Sequence, residues 1–417
     1  MTVLRYGIIG GGFVAAFHMR AMCQLRGIEI GGILTNAPVD KLLEFARSNQ
    51  LGDAKQYHSV TEMTQDVDVI CLFGKHYKRV EVLEEVLQAV QKGAQISGII
   101  CEKPFARNMP EARRMMELSE AIGVPTAYFE NQVHMGAVTS ELQQLIPVMN
   151  EMGPLTLVRS AEEHGGAHND WFWDPRIAGG GVMNDMGCHC LAVGWYALTP
   201  PGKPVRFLEP QSIVADLALL KWGEPRWQKL LQDRYNINFW EAPAEDFATG
   251  VATFKNPESG QYVKAQFTSS WMYDMRGIRL YLDGIGPGYA LEMNTLLSPS
   301  QIFISDKAAS SISESESALE KAQSSQGLLT ILPNEPDIYG YTDENREAFA
   351  AFSEGRSALL DFRYGLEIVK LTMAGYMSAE RGRTIDLTDP AIQKELETFI
   401  PMVQQGRGRE LYPVQPL

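Results

Sequence analysis

The chain has 417 residues, 45% hydrophobic and 21% charged, and a formal net charge of −14. That length exceeds one ordinary core and sets two domains as the expectation, while the acidic balance argues against a nucleic-acid or anionic-membrane surface. No apolar run approaches a membrane span, the N-terminus lacks a signal-peptide layout, and five irregularly spaced cysteines suit a reducing cytoplasm rather than a disulfide framework.

Residues 6–9 form a short apolar strand, followed by Gly10-Gly11-Gly12-Phe13-Val14-Ala15 and a helical segment over 15–25. In this G-x-G-x-x-A pattern Gly10 allows a tight turn, Gly12 lets the backbone approach a pyrophosphate, and Ala15 keeps helix and sheet close. Phe13 and Val14 open the helix whose N-terminal amides would face the phosphates. The next strand, 28–34, ends in Thr35-Asn36. An NAD-binding fingerprint places an acid there for the ribose hydroxyls. Thr35 and Asn36 neither repel a 2′-phosphate nor attract one, so the cofactor is NAD or NADP.

A helix is expected over 41–49 and a strand over 68–73, with Phe73, Gly74 and His76 at that strand's carboxyl end. A helix over 80–92 follows, then a buried strand leading into Glu102-Lys103-Pro104. Proline at 104 pushes Lys103 into an extended conformation, so the lysine projects where open α/β sheets bind ligands. Asn108, Pro110 and Gly123 bracket a helix over 109–122. A last strand over 124–129 completes an alternating strand–helix domain with a parallel sheet, residues 1–129.

Beyond it, a strand over 155–162 leads to a loop bearing His164, His168, Asp170, Trp171, Phe172 and Trp173. Gly179-Gly180-Gly181 follows, read as permitting close approach to cofactor or substrate. If a helix starts at Val182, Asp185 and His189 share one face, and a carboxylate one turn from an imidazole suits a general base. His164, His168, Trp171 and Trp173 are candidates to line the substrate pocket. Cys188-His189-Cys190 cannot all face one ion from a helix, so no metal is expected. Further strands are expected over 251–254, 263–269 and 278–282. Residues 307–325 read as a mobile loop or an exposed helix.

Gly10-x-Gly12-x-x-Ala15 with His18, then Glu102-Lys103-Pro104, then Gly179-Gly180-Gly181 leading to Asp185 and His189, resemble the glucose–fructose oxidoreductase/inositol dehydrogenase/rhizopine catabolism (Gfo/Idh/MocA) family. The segment 349–387 is also similar to that family's closing helix. The resemblance implies an α/β N-terminal Rossmann domain and an α+β C-terminal domain with a large, mostly antiparallel open sheet. The second domain is placed at 130–387, with a closing helix near 343–380 packing back on the first, and a tail at 388–417.

It further implies NAD(P)-dependent hydride transfer at a hydroxyl or keto carbon of a sugar, glycoside or cyclitol, and a homo-oligomer, dimer or tetramer. Lys103, Asp185 and His189 take the catalytic positions. Two departures stand out: Phe73-Gly74-Lys75 where many relatives have Thr-Pro, and extra aromatic and arginine residues over 217–246. The latter motivate an alternative, a redox-neutral glycosidase or lyase acting through transient sugar oxidation. A non-catalytic ligand-sensing module ranks last, because Lys103 and His189 are both present.

Overall fold

The computed structural model describes residues 3–274, 277–296, 301–304, 327–330, 334–412 and 414. The chain divides into two units, Met1–Gly136 with Pro336–Val369, and Ala137–Glu335 with Lys370–Leu417.

The first unit alternates β1 (Leu4–Ile9), α1 (Phe13–Met22), β2 (Ile28–Leu34), α2 (Asp40–Ser48), β3 (Lys55–Tyr57), α3 (Val60–Asp66), β4 (Val69–Leu72), α4 (Arg79–Gln91), β5 (Gly98–Glu102), α5 (Met109–Ile122) and β6 (Thr126–Phe129). The strands form one parallel sheet in the order β3-β2-β1-β4-β5-β6. The order reverses between β1 and β4, so the loops after those strands flank the crevice where such sheets take a dinucleotide. Local chemistry fixes the helix limits. The Asn108 side chain accepts the Glu111 amide at 3.0 Å, and Gly123, at φ +77°, ends α5 in a left-handed cap.

In the second unit α6 (Gly136–Met152) leads to β7 (Leu157–Glu163), and α7 (Pro175–Ala178) to α8 (Cys188–Leu198). Then come β8 (Glu209–Ala218), α9 (Pro225–Tyr235), β9 (Phe247–Lys255), β10 (Tyr262–Ser270), β11 (Arg279–Gly286) and β12 (Tyr289–Asn294). A separate two-stranded sheet pairs β13 (Gln301–Ile304) with β14 (Gly327–Thr330). The chain closes with α10 (Glu335–Ile338), α11 (Tyr341–Ser353), α12 (Phe362–Arg381), β15 (Ile385–Asp386) and α13 (Pro390–Leu396). The large sheet runs β12-β11-β7-β10-β9-β8-β15, antiparallel except for β7 beside β10. On it α8 lies close: a Cβ at Gly194 would be 3.1 Å from that of Ala265, and Ser160 Oγ donates to the Cys190 carbonyl at 3.0 Å.

Two boundaries differ from the sequence reading. Residues 336–369, assigned there to the second domain, belong to the first unit. Ala348, Ala351 and Phe352 of α11 join the buried core around Ile8, Ile33 and Ile100, and a Cβ at Gly98 would be 2.6 Å from the Phe352 ring. The first unit also extends to Gly136 rather than ending at 129, because Asn131 Nδ2 donates to the Tyr339 carbonyl at 2.7 Å. The residues read as a loop or helix over 307–325 lie outside the described residues.

Candidate active site

In the first unit the functional candidates gather at the carboxyl edge of the sheet. A Cβ at Gly10, whose φ is +134°, would be 2.8 Å from the Gly74 nitrogen, so the turns after β1 and β4 touch. Gly12 differs, because a Cβ there would meet nothing within 4 Å. Gly12 is the N-cap of α1 and offers no side-chain cap, which leaves first-turn amides to be satisfied from outside the helix. Exposed glycine, uncapped helix start and switch point together form a cradle that fits a pyrophosphate. Phe13 and Val14 form the helix's first turn. Thr35 packs against the turn, within 2.5 Å of where a Cβ on Gly11 would lie. Asn36 is exposed at the end of β2.

Lys103 is the first residue beyond β5 and is half-buried. The Lys103–Pro104 peptide is cis, and the carbonyls of Pro104 and Phe105 accept hydrogen bonds from the buried guanidinium of Arg79. Just before the lysine, Glu102 is buried beneath the sheet edge. His18 Nε2 donates to Glu102 Oε1 at 2.8 Å, and Asn345 Nδ2 donates to His18 Nδ1 at 2.9 Å. The same Asn345 nitrogen donates to the Tyr341 carbonyl, which fixes the amide orientation and hence the imidazole tautomer.

Burial alone would raise the Glu102 carboxyl. The His18 hydrogen bond and the charges of Lys103 and Arg79 outweigh it and hold the group below its ordinary value. Glu344 goes the opposite way: burial, then the Glu102 and Glu130 charges, push it well up. His18, Glu102 and Glu344 place ligand-type atoms within 4.8 Å of one another, but both ring nitrogens of His18 already have partners. Phe73 is buried and stacked on His18 with centroids 4.0 Å apart, so its side chain is part of this packing. His76, itself buried, opens a 3₁₀ turn, His76–Lys78, beyond β4.

In the second unit Asp185 lies in a π-helical turn, Met183–Gly187, that runs directly into α8 with His189 in its first turn. Both side chains are buried. Trp271 Nε1 donates to Asp185 Oδ2 at 3.3 Å, and Glu162 of β7 brings a carboxylate oxygen 3.8 Å from His189 Nε2. The preceding glycines do not behave as the sequence suggested. A Cβ at Gly180 would collide with the Tyr376 hydroxyl, and one at Gly181 with the Glu245 carbonyl. Their close approach is to protein packing rather than to a ligand.

Glu245 organises that packing. Its Oε1 accepts from the Tyr376 hydroxyl at 2.5 Å, the Gly181 amide at 2.9 Å and the Met183 amide at 3.2 Å. Burial raises its carboxyl to about 7 despite these donors.

His164 is fully buried. Its Nδ1 accepts the Gly166 amide at 3.0 Å, which anchors the loop. His168 and Trp173 do line a cavity, together with residues of α9 and its approach. Trp173 is buried and its Nε1 donates to the Ala167 carbonyl, whereas the half-buried Trp171 stacks on Phe172 at 3.8 Å. Sequence reasoning missed Glu162, Glu245, Trp271, Glu344 and Asn345. Tyr376 lay inside the similar segment, but nothing there marked its partner.

Two family descriptions match the chain: "Oxidoreductase family, NAD-binding Rossmann fold" over residues 4–128, and "GFO/IDH/MocA C-terminal domain" over 142–285. Over 400 residues the chain is 24% identical to D-glucoside 3-dehydrogenase of Escherichia coli (strain K12), covering 92% of this chain and 97% of that one. It is 23% identical over 197 residues to glucose-6-phosphate 3-dehydrogenase of Bacillus subtilis, 46% of this chain and 53% of that one. Among solved structures, GenD2 from gentamicin A biosynthesis, in complex with NAD, matches with a TM-score of 0.69 at 18% identity, covering 93% of this chain and 97% of that one. A myo-inositol dehydrogenase from Corynebacterium glutamicum matches with a TM-score of 0.64 at 17% identity, covering 93% and 99%. Likeness at that level speaks for the fold alone.

Proposed function

Because this chain belongs to the Gfo/Idh/MocA family of NAD-binding oxidoreductases, we propose that it is an NAD(P)-dependent dehydrogenase of a hydroxyl carbon in a sugar, glycoside or cyclitol. The observation that carries the reading is the first unit's sheet edge. There an open Gly12 and an uncapped α1 lie at the switch point, and Lys103 leaves the neighbouring end of β5. The relatives named above are dehydrogenases of glucoside and glucose 6-phosphate, which favours net oxidation over a redox-neutral lyase.

Gly10, Gly12, Phe13 and Val14 would hold the pyrophosphate, and Thr35 and Asn36 the adenosine ribose. Backbone at Phe73 and Gly74, with His76, Glu102 and Lys103, would border the nicotinamide. The bound dinucleotide supplies the hydride acceptor. His189 takes the substrate's hydroxyl proton, and Glu162 compensates the charge that the imidazole gains. Asp185, fixed by Trp271, holds the start of α8 and the substrate side of that imidazole. Lys103 donates to the carbinol oxygen as charge develops on it.

We also infer a cytoplasmic homo-oligomer. All five cysteines are free thiols, four of them buried. The strands of the large sheet carry exposed Val214, Tyr262 and Ile285, an apolar surface suited to a second copy. No helix among the described residues is long and apolar enough to cross a membrane.

A sugar, glycoside and cyclitol panel offered with NAD and with NADP, followed by absorbance of the reduced nicotinamide, tests the activity. Reduction in step with substrate loss is expected. Substrate consumed without net reduction would overturn the dehydrogenase reading.

A further inference from the structure

The connection from β8 to β9 occupies residues 219–246, where antiparallel neighbours need only ~2–5 residues. This one folds α9 over the loop that follows β7 and encloses a cavity of about 240 Å³. Its walls are aromatic. Trp173 and Trp222 meet edge-on at 4.7 Å, and Trp222 and Trp227 at 5.7 Å. A Cβ at Gly166 would lie 3.0 Å from both Trp173 and Trp222, so only glycine lets the loop close on them.

The polar groups are mixed in sign. Lys221 Nζ sits 2.6 and 2.8 Å from the two carboxylate oxygens of Asp274, and 4.3 and 4.7 Å from the Trp227 and Trp222 ring centroids. Arg234 and His168 complete the polar rim.

The back wall of this cavity packs against the support of Asp185. Trp173 packs 5.0 Å from Trp271, the indole that donates to Asp185, and Trp222 Nε1 donates to the Trp271 carbonyl at 2.8 Å. The lining indoles Trp173 and Trp222 are thus linked to the Asp185 carboxylate through Trp271.

We propose that this cavity is a subsite for the ring that is not oxidised, the second pyranose of a glycoside substrate. This deepens the dehydrogenase reading above and rests on it. Lys221 is already neutralised by Asp274, so the site presents no unpaired buried charge for an anion. It presents donors and an acceptor beside indole surfaces, the set that a ring with apolar C–H faces and a hydroxyl edge requires. Its volume lies below the ~300–1,000 Å³ of drug-sized pockets, which suits one ring rather than two.

Two arms of one experiment test this. The first compares kcat/KM for cellobiose, maltose and lactose with that for the matching methyl glycosides, in the wild type, Trp227→Ala and Arg234→Ala. The wild type should prefer at least one disaccharide by roughly tenfold, and both variants should bring that ratio towards one. The second measures saturation transfer from protein to disaccharide by NMR, which needs no turnover. The transfer should be present in the wild type and lost in Trp227→Ala.

A disaccharide preference absent from the wild type, or unchanged in both variants, overturns the subsite. If no sugar reduces the nicotinamide, the dehydrogenase reading fails instead, and the NMR arm still decides the subsite: transfer lost in Trp227→Ala supports it, and transfer absent or unchanged removes it.

Discussion

Gly10-Gly11-Gly12 and Gly179-Gly180-Gly181 each precede a helix that carries proposed active-site chemistry, yet Gly12 and Gly180 have opposite surroundings. A side chain added at Gly12 would meet nothing, whereas one at Gly180 would collide with the Tyr376 hydroxyl. Gly12 leaves open space beside the uncapped start of α1, whereas Gly180 and Gly181 close on their own protein. The buried carboxylates below them differ in the same sense. Glu102 lies among His18, Lys103 and Arg79, which hold it below its ordinary value. Burial with only hydrogen-bond donors for company lifts Glu245 to about 7. A glycine triplet before a helix thus does not by itself distinguish a ligand turn from a packing turn. What the turn closes on does.

The largest effect that would sharpen this contrast is Gly180→Ala. Displacing Tyr376 also breaks its hydrogen bond to the buried Glu245, so a loss of at least about 4 kcal/mol is expected in urea unfolding. A loss below 1 kcal/mol would break the comparison. Next, His18→Ala strands Glu102 without its donor and should cost about 3 kcal/mol, measured in the same way.

The pH response follows from Glu245. Its folded-state value of about 7 exceeds the ordinary 4.5, so between those limits the folded protein holds a proton that the unfolded chain releases. Stability is therefore full at low pH and falls as pH rises through about 7, by roughly 3 kcal/mol for this one group. Glu344, Asp246 and Glu380 are also raised, chiefly by burial, and act in the same direction. Urea melts at pH 5 and pH 8 should show the drop, and Glu245→Gln should remove its share. The smallest change in stability belongs to Gly12→Ala, within about 0.5 kcal/mol, while NAD or NADP binding by titration calorimetry weakens roughly tenfold.

Much of the first unit was legible because its signals are contiguous. Asn108, Pro110 and Gly123 delimit α5 at the residues where it starts and stops, and the apolar runs of β2 and β4 are bounded by turn residues on both sides. The position of Lys103 just past a buried strand was legible because an apolar run precedes it and a proline follows it. In the second unit the partners are single residues embedded in ordinary patterns. Trp271 reaches Asp185 from 86 positions away and Tyr376 reaches Glu245 from 131. Glu162 looks like any polar residue at the end of a strand. The aromatic richness of 217–246 was visible, but the helix Pro225–Tyr235 and the cavity it closes were not, because the Trp173–Trp222 contact joins two loops with no shared periodicity.

The central proposal is that the Lys103 ammonium and the His189 imidazole are each required for oxidation of a substrate alcohol. Single-turnover reduction of NAD or NADP by Lys103→Ala and by His189→Ala, with cofactor binding measured in parallel, tests it most directly. Each variant should lose about 10²–10⁴ in rate while binding the dinucleotide nearly as the wild type does. Turnover at the wild-type rate by either one would contradict the account.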